Sequence, residues 1–180
     1  MWPFKRKPRH KSIPTGNGTV YLCESVLKQS IETLSSSGNA VEHHEGIVYW
    51  AGRRYGLDSL VTTCIAPAAT ATYGSFKTSS YTNAKVVMWL AREELELLGQ
   101  VHSHPGSFVD HSQGDDELAL MPFEGFLSIV IPHYGQQGIW PLTQCGVHRF
   151  EAGQFRRLST KELEKSFRVI PDFCDIRALP

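Results

Sequence analysis

The stretch "GQVHSHPGSFVDHSQGDD", residues 99–116, gathers three histidines and three aspartates within one short segment. Alternate side chains of a strand point to the same face, so we expect His102 and His104 to project together while Ser103 points away. Pro105 has no N–H to donate to a sheet, so we expect the strand to end there. The segment therefore predicts a strand that presents two imidazoles at its end.

Two neutral imidazoles and one carboxylate form a frequent ligand set for zinc, in which the fourth position is open to water. Ser112 and Asp115 have the S-x-x-D spacing of a helix capping box, and a helix start is a rigid place from which to present a carboxylate. Asp115 is therefore a candidate third ligand. The spacing alone leaves four other candidates open, which are Asp110, His111, Asp116 and Glu117.

The residues before this segment predict a mixture of helices and strands. A helix is expected over about residues 24–36, followed by buried strands at "EGIVYWAG" and "DSLVTTCIAP" with a turn near Gly56. Residues 67–82 are rich in Ala, Thr and Ser, and we expect a long loop with a function of its own. A second helix is expected over about residues 83–94, with an apolar stripe formed by Ala84, Val87, Met88, Ala91 and Leu95.

The residues around and after the histidine segment complete an α/β domain. "LELLGQVHSH" predicts the strand that leads into the segment, and a short helix is expected to begin near Ser112. "FLSIVIP" predicts another strand, and "QCGVHRFEAG" with "QFRRL" predicts a closing hairpin. Ser159 and Glu162 form a capping box that predicts a small C-terminal helix. The expected fold is a curved mixed β-sheet flanked by two main helices.

The composition is that of one globular domain, since 180 residues are enough to bury a core without cofactor support. No apolar run approaches the roughly 20 residues of a membrane span. Five Lys/Arg and no acid lie within residues 1–11, which leaves 13 basic and 18 acidic residues in the remainder. We therefore expect a flexible basic leader over residues 1–17, and an acidic body that binds neither nucleic acid nor a membrane.

The cysteines and the N-terminus bear on the compartment. The four cysteines are scattered without a C-x-x-C pair, which favours neither a disulfide framework nor a cysteine zinc site. The basic N-terminal residues are not followed by the apolar segment of a secretory signal. A cytoplasmic location is the expectation.

The pattern from His102 to Asp115 resembles the signature of the JAMM (MPN-plus, or JAB) zinc metallopeptidases. That signature is His-x-His, seven residues, then Ser-x-x-Asp, and His102, His104, Ser112 and Asp115 match it without a gap. Over about residues 20–158 the chain resembles the compact bacterial members that accompany ubiquitin-like proteins and E1/E2-like enzymes. The resemblance implies a single MPN/JAB (cytidine-deaminase-like) domain over residues 18–158, followed by a helix and tail over residues 159–180.

The family also carries a glutamate on an earlier strand, within the pattern Glu-x-x-Gly/Ala, two apolar residues, one further residue and Gly. Counting back seven residues from Gly52 identifies Glu45. Val48 stands where the family has a small residue. Glu42 is the alternative, but it lies three residues too early.

The resemblance implies hydrolysis by zinc-activated water, with one Zn²⁺ per chain bound by His102, His104 and Asp115. Glu45 is then the general base, and Ser112 stabilises the oxyanion. The implied substrate is the bond after the C-terminus of a ubiquitin-like protein, in a conjugate or a precursor, and some such bacterial members are linked to antiviral defence.

Family members grip the extended tail of that substrate with the region that corresponds to residues 67–82. This makes Tyr73 and Phe76 candidate substrate contacts. Two other functions are open. A zinc hydrolase that acts on a small-molecule amide or a carrier-protein conjugate would have the same catalytic centre, and a non-catalytic MPN scaffold would have the same fold but typically lacks ligands.

Overall fold

The structure is a computed structural model, and it describes residues 18–37, 44–72 and 75–172. The first half contains β1 Val20–Cys23, α1 Glu24–Ser37, β2 Ile47–Tyr55, β3 Asp58–Ile65, β4 Ala69–Thr72, β5 Ser75–Thr78 and α2 Ser80–Arg92. The second half contains β6 Glu96–Ser103, α3 Gln113–Leu118, β7 Leu127–Ile131, β8 Gly146–Glu151, β9 Gln154–Arg157, α4 Thr160–Ser166 and β10 Phe167–Ile170.

Eight of the strands form one mixed sheet in the order β10-β1-β3-β2-β6-β7-β8-β9, and β4 pairs with β5 in a separate hairpin. β2 runs antiparallel to both β3 and β6, whereas β6 and β7 are parallel. The closing hairpin expected from the sequence is β8 with β9, which are antiparallel. The α/β fold with a mixed sheet is confirmed.

The two faces of the sheet pack against different elements. The larger core lies on one face, where Leu34 of α1 and Leu163 of α4 pack with sheet residues such as Trp50. The indole of Trp50 donates to the hydroxyl of Ser30 in α1 at 2.9 Å, which satisfies its one polar group. The opposite face carries the smaller core, to which α2 and the β4–β5 hairpin contribute. The histidine segment lies on that second face.

The stripe expected on α2 is wrong. Val86 and Leu90 are the buried residues of this helix, and Trp89 packs partly against the same core. Met88 is 72% exposed, and Val87 is also exposed. The spacing of residues 86, 89 and 90 is as helical as that of the expected stripe, and the large indole of Trp89 carries more apolar area than two alanines. Spacing alone therefore does not distinguish the two faces of α2.

The long loop expected over residues 67–82 is also wrong, because β4 and β5 form a hairpin within it and α2 begins at Ser80. Thr residues favour strands, and the exposed, buried, exposed order from Ser75 to Lys77 is the alternation of a half-buried strand. The N-cap of α2 is Ser79, whose side chain accepts from the backbone N–H of Thr82.

Besides β4 and β5, two further strands were not expected from the sequence. β1 and β10 pair in parallel at one side of the sheet, with Val20 opposite Phe167. Phe167 and Leu163 lie in the larger core, so α4 and β10 share the core of the residues that precede them. Across the described ranges, no helix has both the length and the apolarity needed to cross a bilayer.

A close approach between β8 and the histidine segment generates the first prediction. A Cβ atom on Gly146 would lie 1.6 Å from the carbonyl oxygen of Val109, which is backbone and has little freedom to yield. We expect Gly146→Ala to lower the free energy of unfolding by about 1–3 kcal/mol or more and to displace the segment that carries Asp115. Chemical denaturation and metal uptake measure the two effects.

Gly106 provides the matched control. It lies in the histidine segment that Gly146 approaches, and a Cβ atom on Gly106 would meet nothing within 4 Å. Gly106→Ala is expected to change neither quantity. Equal stability of the Gly146→Ala and Gly106→Ala variants would contradict the close approach.

Candidate metal centre

β6 brings the two histidines of the motif to one face. His102 is fully buried and His104 nearly so, and their ring centroids are 5.1 Å apart. Ser103 points to the other side, where its hydroxyl accepts from the backbone N–H of Gly46 at 3.0 Å. Alternation along the strand therefore separates the two ligand-type side chains from the residue between them, as the sequence predicts.

The carboxylate comes from the start of α3. Ser112 is the N-cap, and both halves of the capping box are present. The backbone N–H of Ser112 donates to Asp115 Oδ2 at 2.7 Å, and the Ser112 hydroxyl donates to the same oxygen at 2.9 Å. These bonds orient the buried carboxylate so that Oδ1 lies 3.2 Å from His102 Nε2 and Oδ2 lies 3.5 Å from His104 Nε2.

These three side chains fit a metal ion. One ligand atom from each of His102, His104 and Asp115 lies within 4.8 Å of the others. His104 Nδ1 is within 2.9 Å of the Phe108 carbonyl oxygen, which leaves Nε2 as the ligand nitrogen. Neither ring nitrogen of His102 has a hydrogen-bond partner among the described residues, although both are buried. Nitrogen and oxygen donors of this kind suit zinc, and a cation would satisfy the His102 nitrogen that faces Asp115.

The protonation states of His102 and Asp115 also favour a cation. Burial lowers the pKa of His102, so its imidazole is held neutral, as a metal ligand must be. Burial alone would raise the pKa of Asp115, but the imidazoles of His102 and His104 hold it well below its usual range. Burial opposes a charged His104 as well, yet the interaction with Asp115 outweighs it and raises the pKa of His104. The carboxylate is therefore ionised in the centre.

Glu45 lies beside these residues because of the register between β2 and β6. Ile47 is opposite His102, and two hydrogen bonds join Gly46 to Ser103. Extending that register places Glu45 opposite His104, on the same face. Burial raises the pKa of Glu45 to about 7, with the nearby His104 opposing the shift and Asp115 adding to it. A carboxyl group with this pKa exchanges protons near neutral pH.

The remaining residues expected at the site have different positions. Tyr73 and the alternative Glu42 lie outside the described residues. Phe76 is 3% exposed, and its ring centroid is 5.3 Å from that of His102, so it supports the histidine from below and offers little surface to a substrate. Asp110 pairs with Arg157, and His111 pairs with Asp116, so these alternative ligands have other partners.

A second polar group beside the centre was missed by the sequence reasoning. Gln100, Ser128 and His148 lie in register across β6, β7 and β8 on the same face as the histidines. His111 joins this row, with its ring centroid 4.0 Å from that of His148. Ser128 is the one polar side chain in the apolar run of β7, LSIVI. That interruption is the signal that could have revealed it.

Comparisons with known proteins agree with this geometry. No family model matches the chain. Over 119 residues it is 28% identical to the "probable metalloprotease y4jG" of Sinorhizobium fredii, a match that covers 64% of this chain and 70% of that protein. These similarities support a JAMM/MPN metallopeptidase-like domain in this chain.

One solved structure supports the fold, and a second is reported for comparison. Protein DSY2949 from Desulfitobacterium hafniense matches with a TM-score of 0.63 and 16% identity, covering 86% of this chain and 94% of that one. A JAB1/MPN domain protein from Archaeoglobus fulgidus matches with a TM-score of 0.45 and 14% identity, covering 84% of this chain and 97% of that one.

The metal centre of the JAMM/MPN-like domain yields the second prediction. Zinc at about 100 times its dissociation constant is expected to stabilise the wild-type chain by about 2.7 kcal/mol, because the ligands converge only in the folded state. His102→Ala and Asp115→Ala are expected to abolish this stabilisation. Thermal unfolding with and without zinc measures it.

His44→Ala is the matched control, since His44 lies next to Glu45 but outside the three-residue cluster. This variant is expected to bind zinc as the wild type does. Loss of zinc binding in His44→Ala, or its retention in His102→Ala, would contradict the ligand assignment.

His148 generates a prediction about acid stability in the metal-free chain. Burial, together with the neighbouring His111 and Arg157, lowers the pKa of His148 to about 4. The unfolded chain binds a proton at this residue at about pH 6.5, so stability is expected to fall as the pH drops from about 6.5 toward 4. We expect His148→Gln to flatten that loss, measured by urea denaturation at several pH values. An unchanged slope would contradict the prediction.

Proposed function

We propose that the protein is a zinc metallopeptidase that hydrolyses the bond after the C-terminus of a ubiquitin-like protein. The observation that carries the hydrolytic part is the convergence of two imidazoles and one ionised carboxylate, with the carboxyl group of Glu45 on the same face. The similarity to a probable metalloprotease supports the same reaction class.

The side chains of the site have two roles, which are metal binding and proton transfer. His102, His104 and Asp115 would hold Zn²⁺, which would supply a bound water with a pKa of about 7 and would polarise a carbonyl group. Glu45 accepts the proton of the attacking water and returns it to the leaving amine. A pKa of about 7 in the metal-free chain suits a group that must both accept and release a proton at neutral pH. A nearby cation favours the carboxylate form, which is the form a base requires.

We assign the oxyanion contact to Ser112. Its hydroxyl borders the ligand Asp115 and donates to Oδ2 of that residue. A hydroxyl that turns from Asp115 toward the developing oxyanion stabilises charge where it forms in the transition state. No covalent enzyme intermediate is required, so this mechanism assigns no role to the cysteines.

The hairpin beside the centre supports the choice of a protein tail as substrate. β4 and β5 pair only with each other among the described strands, so each has one edge that pairs with no other described strand. Phe76 of β5 packs near His102, which fixes the hairpin close to the metal ligands. An extended tail that adds to this hairpin as a strand would reach the metal with its last residues. The ubiquitin-like partner, the cytoplasmic location and a role in antiviral defence stay predictions.

The role of Glu45 is tested by Glu45→Gln, which keeps the size of the side chain and removes the base. We expect hydrolysis of a ubiquitin-like fusion to fall by about 10²–10⁴-fold, while zinc content is unchanged because Glu45 is not a ligand. Glu96→Gln on β6 is the control, since this glutamate is exposed and lies away from the three ligands. Full activity of Glu45→Gln would contradict the mechanism.

The role of the hairpin is tested by replacing residues 69–72 with a Gly-Ser segment of equal length. This change weakens β4 but keeps Phe76 in place beneath His102. Because a tail bound by strand addition needs the hairpin, we expect cleavage of a protein-linked substrate to fall at least about tenfold, whereas zinc content stays at the wild-type level. A parallel loss of zinc, or undiminished cleavage, would count against tail binding at this hairpin.

A further inference from the structure

His111 lies at the centre of a chain of hydrogen bonds that runs from exposed Asp116 to buried Gln100 and that the proposed mechanism does not use. Its Nδ1 is 2.6 Å from Asp116 Oδ1, and its Nε2 is 2.9 Å from the hydroxyl of Ser128 on β7. Gln100 on β6 donates to the same hydroxyl at 3.2 Å and accepts from the backbone N–H of Leu120 at 3.4 Å.

The partners of these groups assign the direction of each bond. Asp116 only accepts, so Nδ1 of His111 carries the hydrogen and Nε2 is the acceptor. Ser128 then donates to Nε2 of His111 and accepts from the side-chain amide of Gln100. Each hydrogen bond named here pairs a donor with an acceptor, and a polar network matched in this way helps to fix a structure.

The network holds α3 at both ends. Ser112 is the N-cap, so His111 is the residue before the cap and Asp116 is the fourth residue of the helix. A contact between these two positions is the polar equivalent of a hydrophobic staple, which fixes the angle at which a chain enters a helix. Leu120 follows the end of α3, and its N–H is held by Gln100. Side chains of β6 and β7 therefore fix the position of the chain both before and after this short helix.

The spacing of Asp116, His111 and Ser128 is also that of a serine nucleophile with its base and orienting acid. Ser128 is fully buried in the middle of β7, with Gln100 against its hydroxyl, so a substrate carbonyl has no access to it. The arrangement therefore serves to hold structure in place.

We infer that His111 is a positioning residue for the metal centre, which sets the location of Asp115 by joining Asp116 of α3 to Ser128 of β7. Asp115 accepts the capping hydrogen bond from Ser112, and the next residue, Asp116, accepts a hydrogen bond from His111. Both bonds fix the first turn of α3, which carries Asp115. The capping box orients the carboxylate within the helix, and His111 orients the helix on the sheet. The inference rests on the metal centre of the proposed function.

The test measures zinc affinity by calorimetry and the visible absorption of the cobalt-substituted chain, which reports ligand geometry. We expect His111→Ala to weaken zinc binding by about tenfold or more and to change the cobalt spectrum, because partners that orient ligands typically contribute 10–100-fold in metal affinity. Measurements are made well below the unfolding temperature of each variant, so that a loss of global stability alone does not alter either reading.

Conservative variants separate the two bonds of His111. His111→Asn retains a donor toward Asp116, and His111→Gln retains a polar group toward Ser128, so each is expected to recover part of the affinity that His111→Ala loses. Asp116→Ala is expected to weaken binding, and the His111→Ala/Asp116→Ala pair is expected to be no worse than His111→Ala, because the two residues act through one contact.

His148→Gln is the matched control, since it removes a buried histidine that lies against His111 but belongs to β8 and not to α3 or its N-cap. This variant is expected to keep wild-type zinc affinity and cobalt absorption. Wild-type affinity in His111→Ala, or an equal loss in His111→Ala and His148→Gln, overturns the inference. Wild-type protein that binds no zinc overturns the proposed function itself, which distinguishes the two failures.

Discussion

The antiparallel pairing of β2 with β6 is the constraint on which the site depends. With Ile47 opposite His102, the two imidazoles of β6 and the carboxyl group of Glu45 must emerge on one face at the end of the two strands. A slip of one residue between the two strands would turn Glu45 away from the imidazoles, toward the face where the larger apolar core lies. The double hydrogen bond between Gly46 and Ser103 prevents such a slip at the position where it matters.

The fourth group of the site, Asp115, comes from a helix and not from the paired strands. Asp115 is carried by a six-residue helix that crosses the second face of the sheet, and its capping box and the His111 network hold that helix in place. Leaving both nitrogens of buried His102 without partners costs about 1–3 kcal/mol per group, which a ligand that binds one of them would offset.

The features that the sequence predicted correctly are those set by neighbouring residues. Alternation in His-Ser-His and the S-x-x-D spacing are local, so the faces of His102 and His104 and the cap at Ser112 were predicted correctly. β1 and β10 are four residues each and acquire their structure only by pairing across the whole chain, so no local pattern revealed them. The inward face of α2 depended on how Trp89 fits the sheet. The row of Gln100, Ser128 and His148 required the register of three strands, which the sequence does not contain.

X-ray absorption at the zinc edge of the purified, zinc-loaded chain tests the central claim most directly. The account predicts one zinc per chain with two imidazole nitrogens and carboxylate or water oxygens at about 2.0–2.2 Å, and no sulfur in the coordination shell. A sulfur shell at about 2.3 Å, a shell without imidazole, or a chain that retains no zinc would contradict the convergence of His102, His104 and Asp115 on one ion.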